Sequence, residues 1–95
     1  MSARILIIED DAASHALVHY LLEAAGHQTL SAFDGAAGVR LALDQQPDLL
    51  LCDLQMPVMN GYQVVQALRE YPLWKQVPVI AVTAFSMAGD REKTL

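Results

Sequence analysis

The sequence predicts an α/β fold built on a parallel sheet, and three observations carry that expectation. Two aliphatic runs, Ile5-Leu6-Ile7-Ile8 and Leu49-Leu50-Leu51-Cys52, are short and bounded by turn residues, as strands buried on both faces are. Each ends abruptly in acid, the first at Glu9-Asp10-Asp11 and the second at Asp53. Between the strand-like runs lie segments with apolar residues at helical spacing, and strands alternating with helices imply right-handed βαβ units. Ligands of open parallel sheets gather at the carboxyl ends of the strands. Glu9, Asp10 and Asp53 therefore stand where chemistry is expected.

Residues 4 to 9 read as the first strand. Asp10, Asp11 and Ser14 supply turn and capping chemistry for a helix over 13 to 25. In it Ala13, Leu17, Tyr20, Leu21 and Ala24 recur at helical spacing and are expected to form the buried face. Gly26 stops that helix. Residues 27 to 32 alternate weakly as a second strand, and Asp34-Gly35 opens a helix over 35 to 45 with Val39, Ala42 and Leu43 inward. Pro47 ends it. Residues 48 to 53 form the third strand and 54 to 60 a loop, from which Asn60-Gly61 leads into a third helix with Val64, Val65 and Leu68 inward. Tyr71-Pro72 closes this helix, and Trp74 is expected to cover a surface edge. Residues 77 to 82 read as a fourth strand, since Pro78 is tolerable near a strand's start. Thr83-Ala84 ends it, and 87 to 95 begins a fourth helix.

At 95 residues the chain is one domain at most. Hydrophobic residues make up 54% and charged residues 18%, which places it among folded chains. A net charge of −5 with dispersed basic residues leaves no electrostatic footprint for nucleic acid, so direct binding to it is not expected. The single Cys52 cannot form an internal disulfide, and its place inside a strand suits a buried apolar role. Neither a signal-peptide pattern nor an apolar run of membrane-spanning length is visible, which points to a cytoplasmic domain without membrane contact.

Three motifs in order, ILIIEDD from Ile5, PDLLLCDLQMPVMNG from Pro47 and VPVIAVTA from Val77, resemble the receiver domain of two-component response regulators. The resemblance runs through the whole chain. It implies the flavodoxin-like doubly wound fold with strand order 2-1-3-4, which sets the first and third strands side by side and brings Glu9, Asp10 and Asp53 into one pocket. It further implies Mg2+ held by Asp10, Asp53 and the backbone carbonyl of Gln55, with Glu9 acting partly through water. Asp53 would be the phosphoacceptor, Thr83 would hydrogen-bond the phosphoryl group, and Ala84 would leave room for it. The donor would be a histidine kinase or a histidine phosphotransfer protein. The domain would promote only its own aspartyl phosphorylation and dephosphorylation, and is not expected to be an enzyme otherwise.

Physical chemistry agrees with that implication. Carboxylates gathered in a partly desolvated cleft repel one another unless their pKa values rise or a cation neutralises them, and a hard divalent ion suits oxygen ligands. A carboxylate beside such an ion can accept a phosphoryl group. The plainer reading makes Glu9 and Asp10 helix caps and Asp53 the start of a turn, but a cap does not call for acid at the ends of two neighbouring strands. A haloacid-dehalogenase type of hydrolase would want a second acid two residues past the nucleophile, where Gln55 stands. His15 and His19, spaced i and i+4, have no HExxH pattern or third ligand beside them, so solvated or packing roles are expected.

Receivers normally continue into a fifth strand ending in lysine and a fifth helix. The chain stops before both, so residues 1 to 95 are expected to be a C-terminally incomplete receiver domain. Neither Lys75 nor Lys93 stands at a strand mouth. The fourth strand then becomes an open edge, so the expectation is a homodimer through residues 77 to 82 and the last helix, or marginal stability, or a chain that is a piece of a longer protein. A rival reading follows: a vestigial receiver acting as an assembly module through that edge.

Overall fold

The structure is a computed structural model that describes residues 3–56 and 58–82. Thr83, Ala84 and the expected helix over 87 to 95 lie outside the described residues. Seven regular elements follow in order: β1 (Arg4–Ile8), α1 (Ala12–Ala24), β2 (Gln28–Ala32), α2 (Gly35–Gln45), β3 (Leu49–Asp53), α3 (Gly61–Arg69) and β4 (Val79–Val82). A single 3₁₀ turn, Pro72–Lys75, precedes β4. The strands form one parallel sheet in the order β2-β1-β3-β4, the order implied by the resemblance.

Local chemistry explains where the helices begin and end. Asp11 caps α1 by accepting the Ser14 N–H at 2.8 Å, and that hydrogen bond holds its carboxyl below the usual range. The far end closes with two reversed hydrogen bonds, Gly26 N–H to Glu23 O and His27 N–H to Leu22 O, both 3.0 Å. That closure requires a left-handed residue, and Gly26 supplies it at φ 95°. Asp34 caps α2 through the Ala37 N–H. At α3, Asn60 and Gln63 exchange side-chain to backbone hydrogen bonds at 3.0 and 2.9 Å, a reciprocal cap of the helix beside the acidic cluster.

The main core lies between the sheet and the α2/α3 layer. Leu6 and Ile8 of β1, Leu50 and Cys52 of β3, Ala42 of α2, and Val64 and Leu68 of α3 are all buried in it. Because side chains alternate along a strand, Ile5 and Ile7 point to the opposite face, which α1 covers. Ile7, Leu51 and Ile80 are in register across that face. Exposure rises along this row from 2% at Ile7 to 48% at Ile80, with Leu51 half-buried between them. Among the described residues, then, the α1 side of the sheet is sealed over β1 and open toward β4.

Two expectations need correction. The buried side of α1 is formed by His15, with Val18 and Leu22 half-buried, whereas Leu17, Tyr20 and Leu21 are exposed. His15 can go inside because the Glu9 carbonyl lies 3.0 Å from its Nδ1. Trp74 does not cover an edge: it is buried in the main core. Arg69 fixes the turn around it, its guanidinium donating to the carbonyls of Trp74 and Val77.

Candidate functional site

Parallel pairing of β1 with β3, Ile8 opposite Cys52, delivers the residues just past β1 and the last residue of β3 to the same end of the sheet. Three of the expected site residues meet there. Carboxylate oxygens of Glu9, Asp10 and Asp53 lie within 4.8 Å of one another. Glu9 and Asp53 are only 5% and 6% exposed, while Asp10 faces solvent.

Backbone amides hold the two buried carboxylates in place. Asp11 N–H donates to Glu9 Oε2 at 2.9 Å, and Gln55 N–H donates to Asp53 Oδ1 at 3.1 Å. Burial pushes the Glu9 carboxyl up to about 7, the Asp11 N–H partly opposes that, and the charges of Asp53 and Asp10 add to it. Burial also raises the Asp53 carboxyl, against the opposing hydrogen bonds from Gln55 and from the Glu9 carboxyl. Burial and mutual charge thus disfavour ionising both carboxylates at once when nothing else neutralises the pair. The Cys52 thiol, pushed up to about 12 by burial, stays protonated and is no nucleophile.

The donor set fits a hard divalent cation. It consists of oxygen atoms alone, two of them on desolvated carboxylates that repel when both are ionised. Gln55 meets the cluster through its backbone N–H, which donates to Asp53. Thr83 and Ala84 follow β4, which pairs Val82 with Asp53, but they lie outside the described residues.

The loop from β3 to α3 passes close under the site. Gly61 packs so tightly on the end of β3 that an added Cβ would stand 2.7 Å from the Asp53 carbonyl oxygen. Val58, fully exposed in the same loop, sits at φ 70°, a left-handed conformation that a β-branched residue adopts only under strain. Nothing in the residue pattern signals it. Val58→Gly is expected to stabilise the domain by about 1 kcal/mol, relieved strain exceeding glycine's extra chain entropy, measured as a higher urea midpoint.

Comparisons with known proteins agree with this geometry. The model of the response regulator receiver domain family matches residues 5–95. The polar-differentiation response regulator DivK of Brucella ovis is 38% identical over 93 residues, covering 98% of this chain and 76% of that protein. Among solved structures, the chemotaxis protein CheY4 of Vibrio cholerae superposes with a TM-score of 0.84 at 28% identity, covering 92% of this chain and 72% of that one. The receiver domain of the sensor histidine kinase PA1611 of Pseudomonas aeruginosa gives a TM-score of 0.84 at 31% identity, covering 95% and 74%; its structure holds a magnesium ion coordinated in the active site cleft. With sequence, sheet order and acidic cluster in accord, the chain belongs to the response regulator receiver domain family, the signalling modules of two-component systems.

Proposed function

We propose that this chain is a phosphoacceptor receiver, taking a phosphoryl group onto Asp53 from a phosphohistidine of a histidine kinase or phosphotransfer protein. The observation that carries this reading is the convergence of Glu9, Asp10 and Asp53 within 4.8 Å at the mouth of β1 and β3. Asp10, Asp53 and the Gln55 backbone carbonyl would hold Mg2+, with Glu9 behind them. When bound, the ion supplies charge neutralisation at the phosphoryl oxygens. The Asp53 oxygen that the Gln55 N–H does not hold attacks phosphorus. An O–P bond forms, the N–P bond to the donor imidazole breaks, and the product is a carboxylic–phosphoric anhydride. Thr83 would donate its hydroxyl to a phosphoryl oxygen, beside the small Ala84. Water later cleaves the anhydride and releases phosphate.

Intact-protein mass after incubation with acetyl phosphate and Mg2+ tests this. One phosphoryl adduct is expected, absent with chelator and absent in Asp53→Asn. A folded wild-type protein that takes up no phosphoryl group would overturn the proposal. That result would favour the rival reading, assembly through β4, which pairs only with β3 among the described residues.

A further inference from the structure

A second set of donors lies on α1, apart from the three carboxylates. His15 and His19 stand one turn apart on the same helix face. With Ala12, Ala16, Ser31 and Phe33 they line a shallow depression of about 290 Å³. Hydrogen bonding decides which nitrogen of each ring carries the proton. His15 Nδ1 lies 3.0 Å from the Glu9 carbonyl oxygen, which can only accept, so Nδ1 is the donor. His19 Nδ1 lies 2.7 Å from Thr29 Oγ1, and that hydroxyl gives its own hydrogen to the Glu23 carboxylate at 3.0 Å. The hydroxyl must therefore accept from His19. With Nδ1 the donor in each ring, Nε2 is the nitrogen that can offer a lone pair.

At His15 that lone pair is buried without use. The residue is 3% exposed, and its Nε2 has no hydrogen-bond partner among the described residues. A buried polar atom left unpaired in an otherwise well-bonded region is rare and asks for an explanation, of which a bound ion is one. We propose that His15 and His19 form a two-imidazole site for a divalent transition-metal ion, bound through both Nε2 atoms and completed by water. Imidazole nitrogens suit nickel, copper and zinc, whereas the carboxylate cluster suits magnesium. The i, i+4 spacing is the one by which a helix presents two histidines to one metal. A carbonyl behind one ring and a hydroxyl behind the other are the outer contacts that orient metal-binding imidazoles. Phe33 is the cover. Its ring stacks on the face of His15 with centroids 4.2 Å apart and planes 20° from parallel, which fixes the imidazole plane and leaves the in-plane lone pair of Nε2 to a ligand.

Calorimetric titration of the full chain with Ni2+, in excess Mg2+ to occupy the acidic cluster, tests the site. One Ni2+ per chain is expected, with the ring C–H resonances of both His15 and His19 broadened by the paramagnetic ion. His19→Ala, which alters an exposed side chain, is expected to weaken binding at least tenfold. Thr29→Val keeps both imidazoles but removes the acceptor behind His19, and is expected to weaken it about tenfold. No binding by the wild type, unchanged binding in His19→Ala, or broadening of His19 alone would overturn the proposal. So would binding that disappears in Asp53→Asn and survives in His19→Ala, which would assign the ion to the carboxylates.

Discussion

Metal-free wild-type protein is expected to lose stability as the pH rises from about 4.5 to about 7, and Glu9→Gln to remove most of that loss. The folded state raises the Glu9 carboxyl from 4.5 to about 7. Between those values the folded protein binds more protons than the unfolded chain, so stability is full below the lower value and falls until the upper one is passed. The whole shift would correspond to about 3 kcal/mol. Water reaching the mouth of the cleft screens part of it, so a loss of roughly 2 kcal/mol is expected. Burial is the foremost cause and the Asp53 charge a lesser one, so Asp53→Asn should lessen the slope without abolishing it. The same variant should abolish the phosphoryl adduct. Urea unfolding of the three proteins at a series of pH values, with chelator present, provides the check. A wild type whose stability rises across this range would contradict the assignment.

Gly61→Val is expected to destabilise the domain by about 3 kcal/mol and to weaken Mg2+ binding together with it. The first added carbon would stand 2.7 Å from the Asp53 carbonyl oxygen and 3.0 Å from the Leu54 Cα, both backbone atoms that cannot turn aside. Overpacking of this kind typically costs 1–3 kcal/mol, and valine adds two further carbons. Since α3 must back away from the end of β3, Asp53 should move relative to Glu9 and Asp10. Urea midpoints report the first effect and Mg2+ titration the second. A Gly61→Val protein as stable as the wild type would show that the loop yields more easily than its packing indicates.

Much of the fold was legible because the strands announce themselves. The aliphatic runs at Ile5 and Leu49 and the proline and glycine stops placed the described strands and α-helices to within about two residues, though not the 3₁₀ turn. The acidic cluster was legible for a related reason: acid directly after a buried run has no packing purpose there. Illegible features depend on contacts between one element and the next, which the residue pattern does not record. Hydropathy ranks Leu17, Tyr20 and Leu21 above His15, yet the histidine is inside, because Glu9 offers it a carbonyl and nothing among the described residues covers the leucines. Trp74 was misplaced for the same reason: its burial depends on the core beneath the 3₁₀ turn and on the guanidinium of Arg69. The left-handed Val58 and the tautomers of His15 and His19 belong to tertiary geometry alone.

The pairing of Ile8 with Cys52 has an evolutionary consequence. Side chains alternate strictly along a strand, so one residue gained or lost inside β1 or β3 would exchange the inward and outward sets and carry Glu9 or Asp53 away from its counterpart. Length changes in this lineage should therefore be confined to connections such as 25 to 27 and 46 to 48. Spans 5 to 9 and 49 to 53 should keep a fixed count of residues even where their identities drift.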